Sequence, residues 1–254
     1  MQQNTRYGNK AFRNYFEKMV EKVPGIVEGL IGSGEGRERG WEERKDELSA
    51  YLGASLGNPT RIDYGSGHEV QFLVFLYSLD KIGIVNADDY RALGLVVFNT
   101  YLKVTRKLQM VYRLEPAGSR GVWGLDDYCF LPFLWGSSQL IANQKILPTV
   151  VEKREVVDEY AEDYLYLGAV QFIYRMKSGG TFAEHSPLLY DVSQVKAGWP
   201  KINQGMCKMY KAEVWQKRPV MQHLLFGKIV KFDNDVASYQ KHILGEGISD
   251  NFAH

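Results

Sequence analysis

Hydrophobic positions recur along most of this chain with helical rather than alternating spacing. Phe12, Tyr15, Phe16, Met19, Val20 and Val23 fall on one face, which predicts an amphipathic helix from about residue 9, broken near Pro24 and Gly25. IGSGEGRERG, 31–40, then reads as a flexible loop, since its glycines have neither the GK[ST] ending of a P-loop nor the GxGxxG spacing. WEERKDELSAYLGASLG, 41–57, returns to the helical pattern. Beyond the Asn58-Pro59 break and TRIDYGSGHE, 60–69, the run VQFLVFLYSL, 70–79, is apolar on nearly every side and predicts a buried helix beginning near His68.

Asn86 is a strong helix N-cap, and Asp88 and Asp89 favour the first turn that follows. Leu93, Val97, Tyr101, Val104, Leu108 and Tyr112 form one stripe, so this helix is predicted to run to about residue 114, before Pro116. At 1.5 Å per residue it spans roughly 40 Å. Asp126 or Asp127 can cap the next helix, and 155–177 predicts another long one. SGGTFAEHSP, 178–187, is a second glycine-bearing loop, and 202–217 is the last clear helix. RPVMQHLLFG, 218–227, reads as a strand-like cover over the helices, and 228–254 as a weakly committed tail. Few segments alternate with period two and no internal repeat is evident. The expected fold is therefore all-α, a single domain over 1–254.

Composition narrows the function classes. With 31 basic and 30 acidic side chains among 254 residues, the charge is balanced, which argues against nucleic-acid binding as the main role. Two cysteines, Cys129 and Cys207, without CxxC spacing fit packing roles in a reducing compartment. The longest apolar runs are shorter than a bilayer span, and the first residues have no signal-peptide core, so no membrane partner is expected. The expected location is cytoplasmic and nuclear.

Two segments carry candidate chemistry. TRIDYGSGHE reads two ways: as an anion-binding turn, with Arg61 forking onto phosphate, the Ser66 hydroxyl, and backbone N–H groups at Gly65 and Gly67 beside a helix N-terminus; or as a helix cap with Arg61 paired to Asp63. In RLEPAGSRGVWGLDDYCFLPFLWGS, 113–137, Asp126 and Asp127 either hold Mg²⁺ or serve as caps. The neighbouring Trp123, Tyr128, Phe130, Phe133 and Trp135 suit a core or a partner surface equally. His68, His185 and His223 are scattered without zinc-site spacing, no GxSxG elbow accompanies Ser186, and His185 reads as a structural hydrogen-bonding residue.

GNKAFR (8–13), TRIDYGSGHE, RLEPAGSRGVWGLDDYCFLPFLWGSSQL, FAEHSPLLYD, NQGMCKMYKAEV and PVMQHLLFG, taken in order over residues 7 to about 227, resemble the phosphotyrosyl phosphatase activator family, the activators of protein phosphatase 2A. The resemblance implies an all-helical fold with core, linker and lid parts around an ATP-binding cleft. It implies an activator that works with ATP and Mg²⁺ on the phosphatase catalytic subunit. It also implies a peptidyl-prolyl cis/trans isomerase activity on proline-containing peptide segments, without assigning catalytic residues. By position, the implied nucleotide contacts are Arg61, Ser66, Gly67, Val220, Met221 and His223, and the implied Mg²⁺ ligands are the Gly121 carbonyl and Asp127. The resemblance thus favours the anion-binding reading of the first loop.

Three departures qualify the carry-over. Ser66 stands where many members of the resembled family have Thr, keeping the hydroxyl. Arg120 and Cys129 occupy variable positions and receive no shared role. Members of that family usually carry further helices ahead of GNKAFR, with which this sequence almost begins, and this puts in doubt any contact that those helices would make. The resemblance leads to a phosphatase-activating chaperone; a stand-alone prolyl isomerase, which needs only a pocket that favours the twisted X-Pro bond, and a non-catalytic interaction module are the alternatives.

Overall fold

The computed structural model describes residues 8–32, 41–118, 124–177 and 179–231. The first helical run breaks near Pro24 as expected, at Glu21 and Lys22. The chain turns after α1 (Ala11–Val20), and Pro24 occupies the first turn of α2 (Val23–Ile31), where its missing N–H costs nothing. Helix α3 (Trp41–Ala54) leads to a two-residue strand β1 (Asp63–Tyr64), which pairs in parallel with β2 (Glu115–Pro116), a contact the helical pattern did not announce. Helix α4 (Ser66–Lys81) starts two residues earlier than expected, after Gly65 in extended conformation. A Cβ on Gly65 would lie 2.7 Å from the Ala117 carbonyl oxygen, so this crossing leaves no room for a side chain.

Asn86 does cap the next run, with a reciprocal bond from its own N–H to Asp89. A 3₁₀ turn (Ala87–Asp89), α5 (Tyr90–Ala92), a π-helical turn (Leu93–Val97) and α6 (Phe98–Tyr112) form one nearly continuous rod. It ends where Arg113 turns left-handed at φ 50°. The expected cap at Asp126 or Asp127 is displaced: Asp126 accepts bonds from the Tyr128 and Cys129 N–H groups, ahead of α7 (Leu131–Leu140). The expected helix over 155–177 is two helices, α8 (Arg154–Tyr160) and α9 (Leu165–Met176), because the chain folds α8 back against α9. Past Ser178, Thr181 and Glu184 cap a short α10 (Phe182–His185), followed by α11 (Pro187–Ser193) and α12 (Gly198–Tyr210), which passes into a π-helical turn (Lys211–Trp215).

RPVMQHLLFG is not strand-like. It opens with α13 (Arg218–Met221), whose Pro219 again sits in a first turn. Nor does the expected tail begin at 228: Glu47 of α3 accepts from the N–H groups of Ile229 and Val230, and Val230 is buried. Residues 232–254 lie outside the described residues.

Helix α7 is central, packed between α9 and α12. Phe133 meets Tyr166 edge-on at 5.2 Å, and Tyr166 meets Trp199 at 5.0 Å, whose indole N–H donates to the Ile146 carbonyl. The aromatics of the 113–137 stretch thereby resolve towards the core: Tyr128, Phe130 and Phe133 are buried, and Trp135 packs on Phe98. Trp123 lies outside the described residues. The closeness of α7 and α9 depends on Gly136, where an added Cβ would fall 2.1 Å from the Tyr166 backbone nitrogen.

The N-terminus of α7 is served from another helix. Glu69 of α4 is fully buried, and its carboxylate accepts from the Phe130 N–H at 2.9 Å and the Leu131 N–H at 3.1 Å. These are donors that a helix start leaves without intrahelical partners. Burial pushes the Glu69 pKa up to about 8, against the opposing pull of the Phe130 and Leu131 N–H groups.

Two outcomes follow from this packing. Gly136→Ala should destabilise the protein by about 2–4 kcal/mol, because the obstacle is backbone and not a flexible side chain. Gly205→Ala, in α12 with open space around it, should change stability by at most about 1 kcal/mol and in the stabilising direction; denaturant unfolding of both variants makes the comparison. Between its ordinary carboxylate range and pH 8, the folded chain holds the Glu69 proton more tightly than the unfolded chain, so this group's contribution to stability falls as pH rises across that window. Glu69→Gln should remove that part of the decline, on the order of a few kcal/mol in the difference between the two unfolding profiles from pH 5 to 8.

Candidate functional site

The first loop is shaped locally by Asn58, whose side-chain oxygen accepts from the N–H groups of Thr60 and Arg61. Ile62 then takes a left-handed conformation at φ 55° and turns the chain into β1. Arg61 pairs with Asp63 through Nε at 2.6 Å, so the capping geometry exists, yet its side chain stays half exposed. His68 donates from Nδ1 to the Ala54 carbonyl and presents Nε2 to Asp63 Oδ1 at 3.6 Å. Burial works to raise the Asp63 pKa, but His68 and Arg61 outweigh it and hold the carboxyl below its usual value. The loop is thus charge-balanced up to the start of α4, where Ser66 and Gly67 begin a helix of 16 residues with free N–H groups at its positive end.

Beside that end lies a cavity of about 190 Å³. Ser66, Ala117 and Gly118 form one side, residues 124–130 the floor, and Leu188, Met209, Glu213, Val214 and Lys217 the opposite wall. Ser66 and Asp127, far apart in the chain, therefore face one space. The Asp127 carboxylate meets Lys177 Nζ at 3.3 Å, and Lys177 also donates to the His185 carbonyl at 3.1 Å. Asp126 is committed to the backbone of its own loop; burial raises its pKa, with the Cys129 and Tyr128 N–H groups pulling the other way. Cys129, beneath, has its thiol pushed well up by burial, as suits a packing residue.

The third segment meets the first directly. A Cβ on Gly67 would stand 3.7 Å from the Val220 carbonyl oxygen, and Gln71, one turn further along α4, donates from Nε2 to the His223 carbonyl at 2.8 Å. Met221 closes α13 between them. The structure therefore brings together Ser66, Gly67, Val220 and Asp127 around the start of α4. Of the expected site residues, Ser66 and Asp127 line the cavity; Arg61, Gly67, Val220, Met221 and His223 do not, and Gly121 lies outside the described residues. His185 is structural as expected: its Nδ1 bonds Ser186 Oγ, its ring packs on Tyr174 and Phe182, and burial, with Lys177, lowers its pKa.

Among the described residues no three His, Cys, Asp or Glu side chains converge as a metal cage. Mg²⁺ is commonly held by one or two carboxylates plus water and phosphate oxygens. Asp127 offers one such carboxylate. Three positioning residues escaped the sequence reading: Glu69, Gln71 and Lys177. Only Glu69 left a signal, as an acid opening an otherwise apolar helix. No helix among the described residues is long and apolar enough to cross a membrane.

Comparison with known proteins bears on the family and the fold. The family model described as "Phosphotyrosyl phosphate activator (PTPA) protein" matches residues 1–232. Probable serine/threonine-protein phosphatase 2A activator 2 of Dictyostelium discoideum is 47% identical over 232 residues, which cover 90% of this chain and 49% of that protein. Serine/threonine-protein phosphatase 2A activator 2 of Debaryomyces hansenii is 42% identical over 245 residues, 94% of this chain and 65% of that one. The chain thus spans about half to two thirds of the length of these relatives. The crystal structure of the PP2A phosphatase activator Ypa1 PTPA1 matches the fold with a TM-score of 0.80 at 35% identity, over 92% of this chain and 72% of that one. Motifs, helical architecture and these similarities converge: the chain belongs to the phosphotyrosyl phosphate activator (PTPA) protein family.

Proposed function

We propose that this chain activates the catalytic subunit of protein phosphatase 2A, as a chaperone that uses ATP and Mg²⁺ at the start of α4. The observation that carries this reading is the shared cavity: Ser66 and Asp127 face it together, while Gln71 of α4 holds the 218–227 segment beside it through the His223 carbonyl. The names of its relatives as phosphatase 2A activators support the partner. The proposed setting is the cytoplasm and nucleus.

Each segment has a physical task in this reading. The Ser66 hydroxyl and the first N–H groups of α4 receive phosphate oxygens at the positive end of the helix. Arg61 exchanges Asp63 for phosphate, a swap that its half-exposed position permits. Val220, Met221 and His223 supply a surface for the base. Asp127, with the Gly121 carbonyl, would hold Mg²⁺, whose charge would offset that of the phosphates. The cavity is smaller than the roughly 300–1,000 Å³ of a complete small-molecule pocket, so it seats part of a nucleotide and leaves the remainder to a surface completed by the phosphatase. Little ATP hydrolysis is expected from the chain alone.

One observation favours prolyl isomerase activity as a second reading. Leu188, Met209 and Val214 give the wall opposite Ser66 an apolar portion beside the Glu213–Lys217 ion pair, a surface that would desolvate an X-Pro bond and favour its twisted state.

Asp127→Ala should weaken Mg²⁺-dependent ATP binding, measured by calorimetry with the phosphatase present, and phosphatase reactivation, each by about tenfold or more. Undiminished reactivation would remove Asp127 from the metal site. In a proline-peptide assay without phosphatase or ATP, the chain should accelerate isomerisation and Met209→Gln should reduce that acceleration. An inert wild-type chain leaves the chaperone reading alone.

A further inference from the structure

Asp127, the carboxylate assigned above to Mg²⁺, already has a cation against it. Lys177 follows α9 and brings its ammonium to 3.3 Å from Asp127 Oδ2, and both side chains keep only 22% of their exposure. The ammonium is held there from a second side by the His185 carbonyl at 3.1 Å. Neither neighbouring charge relieves the pairing. Asp126 spends its Oδ2 on the Tyr128 and Cys129 N–H groups, and Lys217, on the opposite wall, faces Glu213 at 3.2 Å.

From this arrangement we infer that Lys177 is a resident counter-cation, which keeps a bare divalent ion off Asp127 and lets the metal enter only together with nucleotide phosphates. A lone divalent ion bound to Asp127 meets the ammonium at close range, and the repulsion of a double by a single charge is twice the attraction between two unit charges at that distance. Half-burial weakens solvent screening, so the penalty is felt. A polyphosphate reverses the balance. It brings several negative charges of its own, and Lys177, on a flexible stem, can turn from the carboxylate to a phosphate oxygen. Binding of metal and nucleotide then becomes mutually dependent: whatever factor the nucleotide adds to metal affinity, the metal adds to nucleotide affinity.

The inference rests on the nucleotide reading of the cleft for its purpose, but its core can be measured on the free chain with Mn²⁺ as a paramagnetic probe and no nucleotide. Lys177→Met should bind Mn²⁺ about tenfold or more tightly than wild type, and the added substitution Asp127→Asn should abolish the gain. Lys177→Gln, which keeps a donor for the His185 carbonyl, should reproduce the gain if Lys177→Met folds poorly, and Lys177→Arg should behave as wild type. Affinity unchanged within about twofold in both neutral variants, or a gain that survives loss of the Asp127 charge, would overturn the inference. The parent reading is judged separately, by whether wild type with the phosphatase binds ATP in the presence of Mn²⁺. Failure there with a tenfold gain in Lys177→Met would overturn the nucleotide site while leaving Lys177 as the guard of Asp127.

Discussion

The buried carboxylate of Glu69, set against the first N–H groups of α7, is the interaction on which the rest of this structure turns. A helix start needs acceptors for its leading N–H groups, and here they come from the first turn of a different helix instead of from the local sequence. One side chain thereby fixes α4, which begins with Ser66 and Gly67, against the loop that presents Asp126 and Asp127. Its bonds are charge-assisted when the carboxylate is ionised, and its loss leaves orphan donors in the core.

The cavity inherits its geometry from this joint. Its floor is rigid because it is built from the core: Tyr128, Phe130 and the central helix α7 are buried beneath it, and Tyr128 donates its hydroxyl to the Leu114 carbonyl, tying the floor to the end of the 87–112 rod. The side formed by α13 is held differently, through the Gln71–His223 bond and the approach of Val220 to Gly67. Beyond it the chain is pinned to α3 by Glu47. The described parts of all three segments of the candidate site are therefore fastened to α3 or α4. Asp127 stands apart, since its charge is answered by Lys177, which follows α9.

Much of this molecule was legible from residue order. The stripe from Leu93 to Tyr112 gave its rod, with Asn86 at its start, because helical periodicity and capping depend on neighbours three or four residues apart. The Arg61–Asp63 pair was readable for the same reason. Local signals also misled where tertiary contacts compete with them. The 155–177 pattern is periodic throughout, yet folding α8 onto α9 buries more than one straight helix would, and the proline-bearing 218–227 segment, which alone looked strand-like, is a helical turn against α4.

The sequence by itself determined the all-α class, the positions of most helices, and the three motifs that mark the family, since each of these is written in residue types at short spacing. Only the tertiary structure decided that Glu69 caps α7, that Gly136 must stay bare for α9 to approach, that Ser66 and Asp127 face one cavity, and that Lys177 neutralises the acid expected to hold a metal. Those facts depend on which helices meet, and a chain's order does not show which distant residues its packing will bring within 4 Å.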